Sequence, residues 1–311
     1  MKLKSIITEI FEVIAPFFFS FLIIIFSPIL KFICFKKSLK FSKPKSIVIT
    51  GTCSGLGREL ACKYSSIYKN DLTLLLMGMN EDNLNQVKQI CQNHGSIVYT
   101  IIENIKNKER MKNHLIEFHS KHPIDLLIAN AGTIESQLKE SLSFEDKLRE
   151  ISDTNINGML NTVLPVIPLM ESRGCGQIAI VSSLSKNFSS FYVGYSASKA
   201  YISTFTKILR NRLHALNIGV YLIEPGYIST PLTQTLKIKP LFEIKIEDAA
   251  PEIIEGIENG KSYISFPFSA RCVSIISHAV PEFLTDAINS FNSFFFGRFD
   301  FHKKDIKNKI N

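Results

Sequence analysis

The sequence predicts a doubly wound parallel sheet of the α/β class, preceded by an N-terminal transmembrane helix. Three observations predict it. From Ser46 onward short β-branched runs alternate with longer periodic ones, the first short run turns through closely spaced glycines into a helix, and Val13–Leu30 carries no charge. Such alternation is the pattern of parallel βαβ units.

The strands, in order, are Ser46–Thr50, Asp71–Met77, Ser96–Ile101, Ile124–Ala129, Gln177–Ser182, Gly219–Glu224 and Ser262–Phe266. Between them lie helical stretches at Gly57–Lys69, Glu81–His94, Lys108–His119, Phe144–Met170 and Ser196–Leu216. Ile124–Ala129 is apolar on both strand faces except at Asp125, as a strand covered by helices on both sides must be. The chain has 311 residues, of which 45% are hydrophobic and 21% charged, which suits a large buried core and excludes a disordered chain. No internal repeat or low-complexity segment is present, and one domain accounts for everything after Lys45.

Ahead of that domain, Val13–Leu30 (VIAPFFFSFLIIIFSPIL) is apolar on every side, unlike the amphipathic helix of a soluble core. As a helix it reaches about 27 Å, close to the apolar thickness of a bilayer. Pro16 is tolerated in the first turn and Pro28 kinks or ends the helix. Lys31-Phe32-Ile33-Cys34-Phe35 offers no small-residue cleavage site, so the run reads as a single-pass anchor, not a cleaved signal. Two lysines with Glu9 and Glu12 precede it and six lysines follow it, which by the positive-inside rule places the domain in the cytosol. The terminal Lys307-Asn308-Lys309-Ile310-Asn311 resembles the K-x-K-x-x dilysine signal of endoplasmic-reticulum membrane proteins, and the endoplasmic reticulum is the expected membrane.

Net charge is +8, concentrated in Lys31–Lys45 and in the C-terminal tail, so that the remaining chain is near neutral. A nucleic-acid binder would carry its excess charge on the folded body, so nucleic acid is excluded and a lipid bilayer is the expected charged partner. The six cysteines show neither C-x-x-C spacing nor a histidine pair, which predicts free thiols and no metal site.

The chemistry gathers at two places. In Thr50-Gly51-Thr52-Cys53-Ser54-Gly55-Leu56-Gly57 a strand turns into a helix N-terminus through glycines, a geometry in which backbone N–H groups and the helix dipole meet a phosphate. Tyr195 and Lys199 stand four residues apart on one helical face. A phenol of pKa about 10 is a poor acid or base at neutral pH, and a neighbouring ammonium favours its phenolate. Ser182-Ser183 ends an apolar strand, from which a hydroxyl reaches a substrate carbonyl.

Together these motifs resemble the short-chain dehydrogenase/reductase family over Lys45 to about Phe268. The T-G-x-x-x-G-x-G loop matches Thr50, Gly51, Gly55 and Gly57. The N-A-G motif matches Asn130-Ala131-Gly132, N-x-x-G matches Asn155–Gly158, Y-x-x-x-K matches Tyr195–Lys199, and P-G-x-x-x-T matches Pro225-Gly226 with Thr230. The resemblance implies a Rossmann-type fold and an NAD(P)-dependent oxidoreductase. Tyr195 would be the general acid or base, Lys199 would hold the nicotinamide ribose and lower the tyrosine pKa, Ser183 would position the carbonyl, and Asn155 would support a proton relay through water. The implied cofactor set is Gly51, Ser54, Gly55, Leu56, Gly57, Asn80, Asn130, Ala131, Gly132, Pro225, Gly226, Ile228 and Thr230, with Tyr195 and Lys199.

Three departures from the family pattern bear on function. Counting thirteen residues back from the tyrosine gives Ser182, whereas the second hydroxyl of the strand-end pair is Ser183, which strand position favours. The usual acid after the third strand is replaced by Asn104, beside Glu103. At the end of the second strand Met77-Gly78-Met79-Asn80 supplies neither the acid of an NAD enzyme nor the arginine of an NADP enzyme. The cofactor is NADP(H) or NAD(H), and the missing carboxylate, with Asn80 and Arg58 near a 2′-phosphate, leans to NADP(H).

The expected organisation is an anchor over 1–35, a basic linker over 36–45, the catalytic domain over 46–268, and an apolar extension with a basic tail over 269–311. The leading function is oxidoreduction of a ketone or secondary alcohol on a lipophilic substrate, such as a keto-sphingoid base, fatty-acyl ketone, sterol or retinoid. The alternatives are a reductase of a soluble carbonyl localised to the membrane, and a non-catalytic scaffold. A homodimer is the default assembly. Arg271–Phe296 reads either as a packed C-terminal helix or as a second lipid contact through Phe294-Phe295-Phe296.

Overall fold

Ile47 and Ile49 of the first strand point to one face of the sheet and Val48 to the other, and all three are fully buried. That is the consequence of a strand with helices on both faces. The structure, a computed structural model, describes residues 39, 41–187, 192–236 and 242–279. The apolar run Val13–Leu30, Cys34 and the C-terminal stretch beyond Ala279 lie outside the described residues, as does the dilysine-like terminus. Among the described residues no helix is long and apolar enough to cross a membrane.

The chain runs β1 (Ser46–Thr50), α1 (Gly55–Tyr68), β2 (Thr73–Gly78), α2 (Glu81–Asn93), β3 (Ile97–Ile102), α3 (Lys108–Lys121) and β4 (Leu126–Ala129). It continues through α4 (Phe144–Ile151), a π-helical segment (Ser152–Asn157), α5 (Gly158–Val163), α6 (Ile167–Arg173) and β5 (Gly176–Val181). Then follow α7 (Val193–Leu213), β6 (Ile218–Pro225), α8 (Pro231–Gln234), α9 (Ile246–Glu258), β7 (Tyr263–Phe266) and α10 (Phe268–Ala279). The seven strands pair in parallel in the order β3-β2-β1-β4-β5-β6-β7.

Winding goes outward in both directions from β1 and β4, whose carboxyl ends diverge into loops on opposite faces. The crevice at that switch is where an open α/β sheet binds its ligand. One core layer packs Leu60, Tyr64, Leu84 and Ile253 against Ile47 and Ile49. The other packs Met111, Met159, Ile202 and Leu209 against Val48. Asp125, the one polar residue of the fourth predicted strand, accepts from the backbone amides of Lys45 (2.9 Å) and Ser46 (3.2 Å) and pairs with Arg173 (2.9 Å).

Two helix expectations need correction. The stretch Phe144–Met170 is not one helix: a π-helical turn interrupts it at Ser152–Asn157 and a turn at residues 164–166 separates α5 from α6. The wider turn brings Asn155 into the interior, where its own hydrogen bonds hold it. Residues Ile246–Glu258, which the sequence reading left without an element, form α9 with Pro251 inside it. The five described cysteines, Cys53, Cys62, Cys91, Cys175 and Cys272, are free thiols.

Candidate active site

The turn from β1 into α1 is built from backbone. Gly51 has φ +73°, and a Cβ there would come within 2.8 Å of the Ala131 Cα. At Gly57 a Cβ would lie 2.3 Å from the Gly51 carbonyl oxygen, so no side chain fits where loop and helix close on each other. Gly55, at φ +56°, faces Thr230, whose Cβ would be 3.6 Å from a Cβ at that glycine. Ser54, the N-cap residue, makes no side-chain bond to its helix, which leaves the first amides of α1, at Gly55, Leu56 and Gly57, aimed outward without intrahelical acceptors. Bare backbone donors at a positive helix end fit a dinucleotide pyrophosphate.

Across the switch, Asn130 donates from Nδ2 to the carbonyls of Thr50 (3.0 Å) and Gly51 (3.3 Å), while Thr50 Oγ1 accepts from the amides of Asn130 and Ala131, both at 3.2 Å. Asn130 is therefore the tie between the carboxyl ends of β1 and β4. A Cβ at the neighbouring Gly132 would lie 3.2 Å from Asn155 Oδ1 and 3.6 Å from Lys199 Nζ, so this turn runs directly past both.

Lys199 is 4% exposed, and its Nζ donates to the Val181 carbonyl at 3.0 Å. An ammonium has three donors, so two directions remain for ribose hydroxyls, and the residue fits the cofactor role expected of it. The same Nζ stands 5.4 Å from the ring centre of Tyr195. Burial lowers the lysine pKa to about 8.

The tyrosine behaves differently from the sequence expectation. Burial pushes the Tyr195 phenol up to about 12, with the hydrogen bonds from Ser183 and Ser185 working in the opposite direction and the Tyr227 and Glu135 side chains adding to the rise. In the protein alone burial dominates, which spacing along a helix does not report.

The serine pair lies just after β5, and its two hydroxyls go different ways. Ser182 donates to the Lys199 carbonyl at 2.8 Å and shares a 2.7 Å bond with Ser203, so its hydroxyl is spent on α7. Ser183 instead stands near the Tyr195 phenol, whose pKa it lowers, and lies 2.8 Å from the Ser185 hydroxyl. The geometry favours Ser183 over Ser182. It also adds Ser185, which the sequence reading missed: the short 3-10 turn Leu184–Asn187 after β5 folds the third serine back beside the second.

Asn155 accepts from the Thr133 amide (2.8 Å) and donates to the Thr133 carbonyl (2.9 Å) and to Ser198 Oγ (2.9 Å). Both amide hydrogens are thus used within the protein, tying the turn after β4 to α7. After β6, Gly226 donates to the Phe266 carbonyl at 2.7 Å and follows Pro225, whose carbonyl is 3.5 Å from Ser183 Oγ. Ile228 is buried and bridges Ile244, and Thr230 caps α8. Asn80 uses its side-chain oxygen to cap α2 through the Asn83 amide at 2.9 Å, and its backbone meets the Cys53 thiol. Glu103 is occupied by Arg110 at 2.7 Å.

A parallel doubly wound sheet, a glycine cradle at its switch point and a Ser–Tyr–Lys cluster beside that cradle define a dinucleotide-dependent oxidoreductase. The short chain dehydrogenase family model matches residues 45–240, and the chain belongs to that family. It is a nicotinamide-dependent dehydrogenase/reductase. An uncharacterized oxidoreductase of Myxococcus xanthus is 29% identical to it over 78% of this chain and 95% of the relative. The 11-beta-hydroxysteroid dehydrogenase-like 3 protein of Arabidopsis thaliana is 27% identical over 92% of this chain and 95% of the relative. Among solved structures, the short-chain dehydrogenase from Sphingobium yanoikuyae in complex with NADPH has the same fold, with a TM-score of 0.65 at 18% identity, covering 75% of this chain and 93% of that one.

Proposed function

We propose that the protein reduces a ketone, or oxidises the corresponding secondary alcohol, on a lipophilic substrate at the surface of the membrane that anchors it. The observation that carries the chemistry is the meeting of the Tyr195 phenol with the Ser183 and Ser185 hydroxyls beside Lys199. The amides of Gly55, Leu56 and Gly57 would hold the pyrophosphate, and Lys199 would hold the ribose. When bound, a nicotinamide dinucleotide supplies or takes up the hydride. Ser183 then orients the substrate oxygen, and Tyr195 Oη gives it a proton as negative charge develops there, or removes one in the oxidative direction. Ser185 shares a hydrogen bond with Ser183, and Asn155 keeps the turn at Thr133 against α7.

The lipophilic substrate and the membrane rest on other support. The charge-free run Val13–Leu30 with its lysine flank precedes the domain in sequence, and tethering raises the local concentration of a bilayer-dissolved substrate. A relative that matches over 92% of this chain, beyond the catalytic domain, carries a hydroxysteroid dehydrogenase-like name. NADP(H) is the preferred cofactor on this reading, because Met77–Asn80 places no carboxylate at the end of β2 to repel a 2′-phosphate.

The purified full chain, assayed with NADPH and NADH against a keto-sphingoid base, a long-chain 3-ketoacyl ester, a steroid ketone, retinal and acetoacetate, tests the reading. Turnover of a lipophilic carbonyl with a lower KM for NADPH is expected. Faster turnover of acetoacetate than of every lipid would contradict the substrate class. Protease added to intact microsomes should digest the domain after Lys45, and carbonate washing should leave undigested protein in the pellet. Protection from protease would reverse the orientation, and release by carbonate would remove the anchor.

A further inference from the structure

We infer that Glu135 is the positioning residue of Tyr195: from the connection between β4 and α4, its carboxylate caps the first turn of α7 and fixes where the phenol stands. The inference rests on Tyr195 as the proton donor. Tyr195 is the third residue of α7, so its position depends on the geometry of that first turn. The first amides of a helix have no intrahelical acceptor, and Tyr192 at the N-cap supplies no side-chain one. Glu135 Oε1 supplies it, accepting from the Gly194 amide at 2.7 Å and from the Tyr195 amide at 3.3 Å.

These are the second and third positions of the helix, the same donors that an ordinary N-cap side chain satisfies. The partners lie 59 and 60 residues apart in sequence, so the cap is a tertiary contact that locks the turn after β4 to the helix carrying the phenol. Gly194 admits the carboxylate: a Cβ there would come to 3.2 Å from Glu135 Oε1 and 2.9 Å from Leu148 Cδ2.

A neutral cap would satisfy the same amides. Glu135 brings a charge, and its second oxygen, Oε2, is buried with no hydrogen-bond partner among the described residues. Among the described residues, the groups that face the Tyr195 phenol are the Ser183 and Ser185 hydroxyls after β5, Tyr227 after β6, Lys199 on α7 itself and Glu135. Of these Glu135 is the anion, and an anion beside a phenol favours the form that still carries its proton. Glu135 thus holds the donor in place and keeps it loaded.

The test compares Glu135→Ala, Glu135→Gln and Tyr195→Phe in the purified full chain, with NADPH and 9,10-phenanthrenequinone as the probe carbonyl. In the protein without cofactor, Glu135→Ala should speed amide hydrogen exchange at Gly194 and Tyr195 about fivefold or more. Its kcat should fall about tenfold while the KM for NADPH stays within about twofold. Glu135→Gln keeps an acceptor oxygen and should rescue both exchange and kcat to within about threefold, yet move the alkaline limb of the kcat profile to lower pH, because removal of an anion makes the phenol easier to ionise. Exchange and kcat in Glu135→Ala within about twofold of wild type would overturn the proposal, as would an alkaline limb in Glu135→Gln that stays in place. Retained turnover in Tyr195→Phe would instead overturn the proton-donor reading, and the exchange rates would still decide the cap.

Discussion

Lys199 Nζ lies 5.4 Å from the ring centre of Tyr195, one helical turn along the same face of α7, and burial acts on the two groups in opposite directions. The ammonium is held down to about 8 and the phenol is pushed up to about 12. Both shifts favour the neutral forms, so the protein alone resists the ionised pair.

Replacing Lys199 with Met should raise the KM for the cofactor and move the pH profile of turnover upward together, since on the proposed reading the residue would both bind ribose and oppose protonation of the phenol. A change in only one of these would split the assigned role. The same variant has a stability signature. With a folded pKa near 8 against 10.5 for the free side chain, the unfolded chain holds more protons between those values, so wild-type stability rises with pH across that window. Lys199→Met should therefore be more stable than wild type at pH 7 by about 1 to 3 kcal/mol and flatter between pH 8 and 10. Urea unfolding at several pH values measures it, and a variant less stable at pH 7 would contradict it.

The serine pair predicts a division of effects. Ser183→Ala should lower kcat by about 10², because on the proposed reading its hydroxyl serves the phenol and the substrate oxygen. Ser182→Ala removes a buried hydroxyl bonded to the Lys199 carbonyl and to Ser203, and should cost about 1 kcal/mol of stability with a smaller effect on kcat. Melting curves and steady-state kinetics on both variants check the assignment; equal losses of kcat would contradict it.

Gly57→Ala should weaken cofactor binding without unfolding the sheet. A Cβ at this position lies 2.3 Å from the Gly51 carbonyl oxygen, so the loop must move away from the first amides of α1. Fluorescence titration with NADPH should show an affinity at least tenfold weaker, and binding within about twofold of wild type would remove the cradle from the account.

Much of the sheet was legible because parallel strands covered on both faces read as short β-branched runs, and every predicted strand overlaps an observed one. The helix Phe144–Met170 read as continuous because a π-helical turn leaves the apolar pattern nearly intact while rotating Asn155 inward. Tyr195 and Lys199 were legible from their spacing, but not the direction of the tyrosine shift, which depends on burial. Ser185 was hidden by a 3-10 turn that undoes strand alternation, and Glu135 lies 60 residues from the tyrosine whose amide it caps, with no local signal.

The central claim is that Tyr195 supplies the proton, and Tyr195→Phe tests it most directly, since the change removes one hydroxyl and little volume. Cofactor oxidation with the best carbonyl substrate, measured beside a fluorescence titration of NADPH, should show kcat lower by about 10² to 10⁴ with cofactor affinity within about twofold of wild type. Turnover within about threefold of wild type would contradict the account.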